Sequence, residues 1–270
     1  MAVYITGDKH GDFDPYHWDY AKIEKFCQDH HTTKRDVMIV LGDHGVRFYP
    51  DDDWRTLKDM KRLEKMPIRF VLLRGNHDRR VDKSNPNLSY VQIHEPEMEG
   101  EFWFYDRCPS LFFPREYGHY RFAGYDVLMV CGAYSIDKQY RLDAQLSSRH
   151  PYWFPDEQLS NGERARAGRI YRQMVKNRHD GDILVMSHTC PLQYRPNHAL
   201  LNQFGDLEED TTMEQWMDEI ADYRSGNGAK PWTKWYCGHF HTDETVDDVR
   251  FMYHDIILLE EAVPQSTTSD

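Results

Sequence analysis

Cysteine is scarce in this chain. Cys27, Cys108, Cys131, Cys190 and Cys237 are scattered over 270 residues, odd in number and without a Cys-x-x-Cys pair. That distribution excludes a disulfide scaffold and a zinc knuckle, and makes a reducing, cytoplasmic setting the default expectation. Long apolar runs are missing too: no stretch approaches the roughly 20 residues that a membrane-spanning helix needs. The opening Met1-Ala2-Val3-Tyr4-Ile5-Thr6-Gly7-Asp8 lacks a basic segment ahead of its short apolar one, so it is read as a first β-strand and not as a signal peptide. Positive charge is in deficit, 33 Lys and Arg against 45 Asp and Glu, for a net −12. So acidic a chain is not a nonspecific binder of long nucleic acid or of an anionic membrane. A nucleotide or polyphosphate stays admissible, because bound metal ions can invert the field inside one cleft. Repeats, low-complexity tracts and a linker are absent as well, which favours a single domain over 1–263 followed by a flexible polar tail at 264–270.

What is present is a globule's worth of apolar residues, 40% hydrophobic and 14% aromatic. Three times a short apolar run meets a polar, glycine-containing end and then an amphipathic stretch. Val3 to Thr6 leads to Gly7-Asp8-Lys9-His10, Val37 to Leu41 to Gly42-Asp43-His44-Gly45, and Arg69 to Leu73 to Gly75-Asn76-His77-Asp78. The helical stretches have Tyr20, Ile23, Phe26 and Cys27 on one face, and Leu57, Met60 and Leu63 on another, the second preceded by Asp51-Asp52-Asp53 as helix cap. This rhythm predicts an α/β architecture in which ligands sit beyond the carboxyl ends of the strands.

Residues 79–116 break the rhythm with Pro86, Pro96, Pro109 and Pro114, and are read as an insertion or a wall over the site whose aromatics must be buried. Two strands, Tyr117 to Phe122 and Tyr125 to Val130, are followed by a polar, aromatic loop. Ser160-x-x-Glu163 then reads as a capping box for a helix of about fifteen residues ending near Asn177. Further strands are expected over Asp182 to Met186 and Lys234 to Cys237, and a closing pair over Val246 to Phe251 and Asp255 to Leu259.

Five strand ends carry the same kind of side chain: Asp8 with His10, Asp43, Asn76 with His77, His188, and His239 with His241. Each alone is also ordinary turn chemistry. In series they predict one shared metal site, since strand ends in a parallel sheet converge on one rim. Asp8 and His10, like His239 and His241, are two apart, which aims both side chains to one face of an extended segment. Imidazole, carboxylate and one amide suit manganese, iron, zinc or nickel over calcium. A carboxylate shared by two such ions makes a two-metal clamp.

At these residues the chain resembles the calcineurin-like metallophosphoesterase superfamily. Its blocks (Asp-x-His, Gly-Asp, Gly-Asn-His-Asp, a lone His, Gly-His-x-His) occur here in order between residues 7 and 241. The resemblance implies a sandwich of two central mixed β-sheets flanked by helices, and a dinuclear site. It implies Asp8, His10 and His241 on the first ion, Asn76, His188 and His239 on the second, and Asp43 bridging. His77 would be the general acid, not a ligand, and a metal-bridging hydroxide the nucleophile. Gly7-Asp8-Lys9-His10-Gly11 and Arg74-Gly75-Asn76-His77 look like the serine/threonine and bis-nucleoside tetraphosphate phosphatase branches. Those continue their Gly-Asp with x-Val-Asp-Arg-Gly, whereas this chain reads His44-Gly45-Val46-Arg47-Phe48. Arg47 keeps a phosphate role open, but Val46 cannot orient His77. Asp78 is then the substitute partner for His77, or the cap of the next turn.

Phosphate also wants guanidinium donors. Arg47, Arg79, Arg80, Arg141 and Arg195, with Tyr134 after a strand end, are the candidate substrate contacts, each with surface solvation or helix pairing as the plainer reading. The expected activity is phosphomonoester hydrolysis on a small phosphorylated substrate or a phosphoprotein. A phosphodiesterase acting on a nucleotide or cyclic nucleotide, and a non-catalytic scaffold of the same fold, are the alternatives.

Overall fold

The computed structural model describes residues 1–10, 20–95, 97–147, 151–177, 183–196, 209–226 and 228–260; the tail expected at 264–270 lies outside them. The first half alternates as its sequence rhythm predicts: β1 (Val3–Thr6), α1 (Tyr20–Asp29), β2 (Val37–Val40), α2 (Trp54–Glu64) and β3 (Arg69–Leu72). The three strands are parallel and in register, Val3 opposite Val37 and Val37 opposite Arg69. Asp53 caps α2, its carboxylate accepting from the Arg55 backbone N–H at 2.9 Å.

The proline-punctuated stretch becomes an antiparallel meander, β4 (Leu88–Glu95), β5 (Met98–Tyr105) and β6 (Cys108–Pro114), with β6 lying parallel to β3. The hairpin β7 (Tyr117–Phe122) and β8 (Tyr125–Val130) follows. Then come α3 (Lys138–Leu146), α4 (Asn161–Lys176), β9 (Ile183–Ser187), α5 (Thr212–Ala221) and β10 (Trp232–Cys237). Strands β8, β9 and β10 are mutually parallel. A short hairpin, β11 (Thr245–Val246) and β12 (Val249–Phe251), adds to β10, and β13 (Ile256–Leu259) pairs antiparallel with β1.

Strand alternation sorts the side chains into layers. Val3, Ile5, Val37, Ile39 and Val71 face Val127, Met129, Leu184 and Met186 in one buried cluster between the two sheets. The alternate residues Tyr4, Met38, Val40, Phe70 and Leu72 pack on Tyr20, Ile23 and Cys27 of α1 and on Met60 and Leu63 of α2. On the far side Leu128, Val130, Ile183 and Val185 meet Tyr171 and Met174 of α4 and Met213, Met217 and Ile220 of α5. The result is a four-layered α–β–β–α sandwich, in which each such fully buried side chain contributes about 1.5–3 kcal/mol.

Three features go beyond the sequence rhythm. The two sheets are joined: β5 pairs with β4 along one edge, and its other edge is shared by β6 and, through Met98 and Glu99, by β7. Phe102 and Phe112 of the meander lie between the sheets, and Tyr105 and Phe113 in the α1–α2 layer. The closing strands do not pair with each other, for β12 adds to β10 while β13 crosses to β1. Finally, the polar stretch after β8 contains a helix, α3, with no buried residue. It has no apolar stripe to betray it in sequence, and its i,i+4 contacts, Asp137 with Arg141 and Gln139 with Asp143, stabilise it locally.

A candidate dinuclear metal centre

The ends of β1, β2, β3, β9 and β10 meet on one rim, and the backbone there is tightly wound. His10, Asp43, His239 and His241 all have positive φ, at 49°, 42°, 69° and 50°. Non-glycine residues hold that conformation only when their surroundings impose it, which is common where side chains must converge on one point. The glycines of the blocks make the convergence possible. A Cβ on Gly42, itself at φ +94°, would lie 2.1 Å from His188 Nδ1, and one on Gly75 would lie 2.0 Å from Asp43 Oδ1. Neither approach tolerates a side chain.

The deep half of the site consists of buried groups. His188 Nδ1 lies 2.8 Å from the Leu41 carbonyl, which can only accept, so Nδ1 carries a proton and Nε2 of the neutral ring is a lone pair. That lone pair faces Asn76 Oδ1 at 2.9 Å and Asp43 Oδ2 at 3.3 Å. Three acceptors directed at one point require a positive charge between them. In the protein alone a proton supplies it: burial opposes the charged imidazolium, but Asp43, Asp8 and the Leu41 carbonyl outweigh burial and raise the His188 pKa to about 9. Asp43 is held well below the usual carboxylate range, since His77 and His188 overcome the effect of its burial. Asp8 is pushed up to about 8 by burial, with His188 opposing and Asp43 reinforcing the shift. Its Oδ2 accepts from the His239 N–H at 2.8 Å, while its buried Oδ1 has no hydrogen-bond donor among the described residues. A buried carboxylate oxygen without a donor is unfavourable as it stands and matches a cation as its partner.

The outer half is histidine-rich and partly open. The His10 and His77 side chains are 11% and 18% exposed, against 0% for His188. His10 Nε2 faces His241 Nε2 at 3.0 Å, and His10 Nδ1 faces His77 Nδ1 at 3.2 Å. The Asp43 carboxylate reaches this half as well, 3.9 Å from His10 Nε2 and 3.8 Å from His77 Nδ1. Two groups of potential ligands result, His10–Asp43–His77 and Asp43–His188–His239, each with its ligand atoms within 4.8 Å of one another. Asp43 belongs to both. Imidazole and carboxylate donors around a shared carboxylate suit a pair of divalent or transition ions.

Residues 1–243 match the family model of calcineurin-like phosphoesterases. The chain belongs to that family. Its chemistry is therefore metal-dependent hydrolysis of a phosphoric ester at a dinuclear site. Comparison with curated proteins returned no match. Among solved structures, phosphopantetheinyl hydrolase from Mycobacterium tuberculosis is 13% identical, over 93% of this chain and 88% of that one, with a TM-score of 0.42. A protein of unknown function from Aquifex aeolicus is also 13% identical, over 70% of this chain and 80% of that one, with a TM-score of 0.32.

In this phosphoesterase most candidate substrate contacts are engaged elsewhere. Arg47 is buried; its guanidinium donates to the Arg79 and Arg80 carbonyls and to the Tyr105 hydroxyl, with Asp51 at 3.3 Å. It staples the turn after His77. Arg80 pairs with Glu163 at 2.7 Å and Asp156 at 3.2 Å, and Arg195 pairs with Glu209. Arg79 donates to the Phe48 carbonyl and lies over the Phe154 ring, while Tyr134 carries the Lys138 ammonium over its face. Arg141 differs: held by Asp137, it places Nη2 2.9 Å from His77 Nδ1. The Asp78 carboxylate accepts from the backbone N–H groups of His44, Gly45 and Gly75 at 3.1, 2.9 and 3.0 Å. It ties the loop after β2 to the loop after β3.

Two residues at the site went unnoticed in the sequence, Ser135 and Glu157. Both are buried, and Ser135 Oγ accepts from Asn76 Nδ2 at 2.9 Å. Neither stands in one of the metal-binding blocks, and although Ser135 directly follows Tyr134 in the segment after β8, no local pattern singles it out.

Proposed function

We propose that the chain is a phosphomonoesterase acting on a small phosphorylated compound or a phosphoprotein. On this reading Asp43 is shared between two ions, His10, His241 and Asp8 serve one, and Asn76, His188 and His239 serve the other. The donor set suits manganese, iron, zinc or nickel, and the cysteine pattern suits a cytoplasmic setting. Among the described residues no helix is long and apolar enough to cross a membrane. When bound, the ions supply an activated water and an electrostatic clamp on the phosphoryl oxygens.

The observation that carries the reading is the contact of Arg141 Nη2 with His77 Nδ1 at 2.9 Å. A guanidinium only donates, so Nδ1 accepts and the ring's proton sits on Nε2. An Nδ1 facing a cation is a poor metal ligand, which supports a proton-handling role for His77 even though its distances would also allow ligation. Burial, Arg141 and His10 hold the His77 pKa well below the ordinary value, against Asp43. A dianionic phosphate that draws the Arg141 guanidinium to itself lifts part of that restraint. With Nδ1 released, the ring can take up a proton there from solvent, and the resulting imidazolium gives its Nε2 proton to the departing alkoxide, leaving the neutral ring. A monoester dianion engages Arg141 more strongly than a diester monoanion, hence the preference for monoesters. Asp78, on the same reading, shapes the loops and takes no part in proton transfer.

The test is hydrolysis of p-nitrophenyl phosphate against bis(p-nitrophenyl) phosphate by manganese-reconstituted protein. Faster monoester turnover is expected; equal or faster diester turnover overturns the assignment.

A further inference from the structure

The amide of Asn76 has two ends, and only the oxygen is a metal donor. Which end faces His188 is therefore decisive, and the side chain cannot choose by itself. The groups behind it can. Asn76 Nδ2 donates to Ser135 Oγ at 2.9 Å, and Ser135 Oγ donates in turn to Glu157 Oε2 at 2.6 Å. Glu157 Oε1 also accepts from the Ser135 backbone N–H at 3.0 Å. Both carboxylate oxygens accept, so the hydroxyl proton is turned toward Glu157 and the hydroxyl lone pair toward Asn76. Only the NH2 end of the amide can meet that lone pair. Oδ1 is thereby left pointing at His188 Nε2, 2.9 Å away.

The far end of this chain of hydrogen bonds is anchored too. Arg74 Nη1 donates to the backbone carbonyls of Gly75 and Glu157, both at 3.0 Å, and its guanidinium pairs with Glu116 at 2.7 Å. Arg74, Glu157, Ser135 and Asn76 form a closed ring that starts and ends on the segment after β3. Asn76, Ser135 and Glu157 are 3%, 1% and 3% exposed. A buried carboxylate directed at one serine is an unfavourable way to stabilise a loop. It is an effective way to polarise a hydroxyl and fix an amide.

We propose that Ser135 and Glu157 are positioning residues for Asn76, and that they set the affinity for one of the two ions, the one in the deep half of the site. The inference rests on the reading of Asn76 as a metal ligand.

The test is the binding of manganese to metal-free protein, followed by equilibrium dialysis with elemental analysis, for the wild type and the Ser135→Ala, Ser135→Thr, Glu157→Gln and Asn76→Ala variants. Ser135→Ala is expected to weaken one of two binding steps about ten- to a hundredfold, the range for groups that orient a ligand from behind. The other step should stay unchanged. Ser135→Thr, which keeps the hydroxyl, should restore affinity, and Glu157→Gln should weaken the same step as Ser135→Ala. If Asn76→Ala loses an ion while Ser135→Ala and Glu157→Gln bind two ions with wild-type affinity, the positioning role is overturned and the ligand reading survives. If Asn76→Ala itself binds two ions normally, both fall. A Ser135→Ala protein that melts lower but binds both ions normally has lost only packing, and that also overturns the proposal.

Discussion

The two halves of the metal centre are built differently. In the deep half two of the donors are held from behind: His188 by the Leu41 carbonyl and Asn76 by Ser135. In the outer half, His10, His77 and His241 meet one another through ring nitrogens at 3.0 and 3.2 Å, nearer solvent. The first arrangement is preorganised, since orientation is fixed before any ion binds. In the second, Arg141 fixes the His77 proton on Nε2, while the facing Nε2 atoms of His10 and His241 must shed any proton between them before both can face an ion. The deep half is therefore expected to hold its ion more firmly than the outer half, where proton handling is proposed. Among the described residues, Asp43 is the one shared by both ligand groups.

Asp43→Asn should disable both halves of the site together. Removing the shared charge is expected to cost both ions and abolish hydrolysis, as read by elemental analysis alongside turnover. A variant that keeps one ion at wild-type affinity would show that the halves do not depend on a common carboxylate. Next in size, His77→Ala should lower kcat by about 10²–10⁴-fold on an alkyl phosphate. The loss should be smaller on p-nitrophenyl phosphate, whose leaving group needs little protonation. Ion content should remain at two; a drop to one would make His77 a ligand, as its proximity to His10 and Asp43 permits.

Arg141→Ala and Arg80→Ala sharpen the contrast between an arginine that reaches the site and one that does not. The first should reduce kcat/KM for a monoester by roughly tenfold to a hundredfold, the equivalent of a charged hydrogen bond of about 1.5–3 kcal/mol. The second should leave kcat/KM nearly unchanged and lower the melting temperature, because Arg80 anchors Glu163 of the α4 capping box at 2.7 Å. Equal kinetic losses in the two variants would erase the distinction.

The smallest expected effect lies away from the metal centre. Burial alone would raise the Glu163 pKa, but Arg80 and the Ser160 N–H and hydroxyl lower it to about 2. A carboxyl whose folded pKa lies below its unfolded value, about 4.3, gives its full stabilisation above the unfolded pKa. That contribution fades as the pH falls through the folded one. Denaturation midpoints of the wild type should therefore decline between about pH 4 and 2 more steeply than those of Glu163→Gln. Parallel declines would mean that the Arg80–Glu163 pair adds nothing.

Much of this was legible in the sequence. The strand-end blocks announced His10, Asp43, Asn76, His188, His239 and His241, because a parallel sheet brings its carboxyl ends to one rim and the alternation of apolar runs and helices fixed the strand direction. The capping box at Ser160 and Glu163 was legible for a similar reason, being a purely local contact. What escaped depends on segments distant in sequence. Ser135 and Glu157 act on Asn76 across separations of 59 and 22 residues in the two links of their chain. Helix α3 buries no residue and so shows no apolar period. The junction of the sheets through β5 rests on a pairing of Met98 and Glu99 with Phe122 and Arg121 that no local pattern specifies. Arg47 looked like a phosphate contact because it follows Asp43 closely, yet its guanidinium is enclosed by the Arg79 and Arg80 carbonyls and Tyr105.

If one carboxylate, Asp43, joins two unequal metal sites, the two ions must bind unequally and sense each other. Electron paramagnetic resonance during manganese titration of the metal-free protein reads both properties at once. Two binding steps of different affinity are expected, with the spectrum of a spin-coupled pair appearing as the second site fills. A single ion per chain, or two ions that remain magnetically independent at saturation, would contradict the joining of the two sites by Asp43.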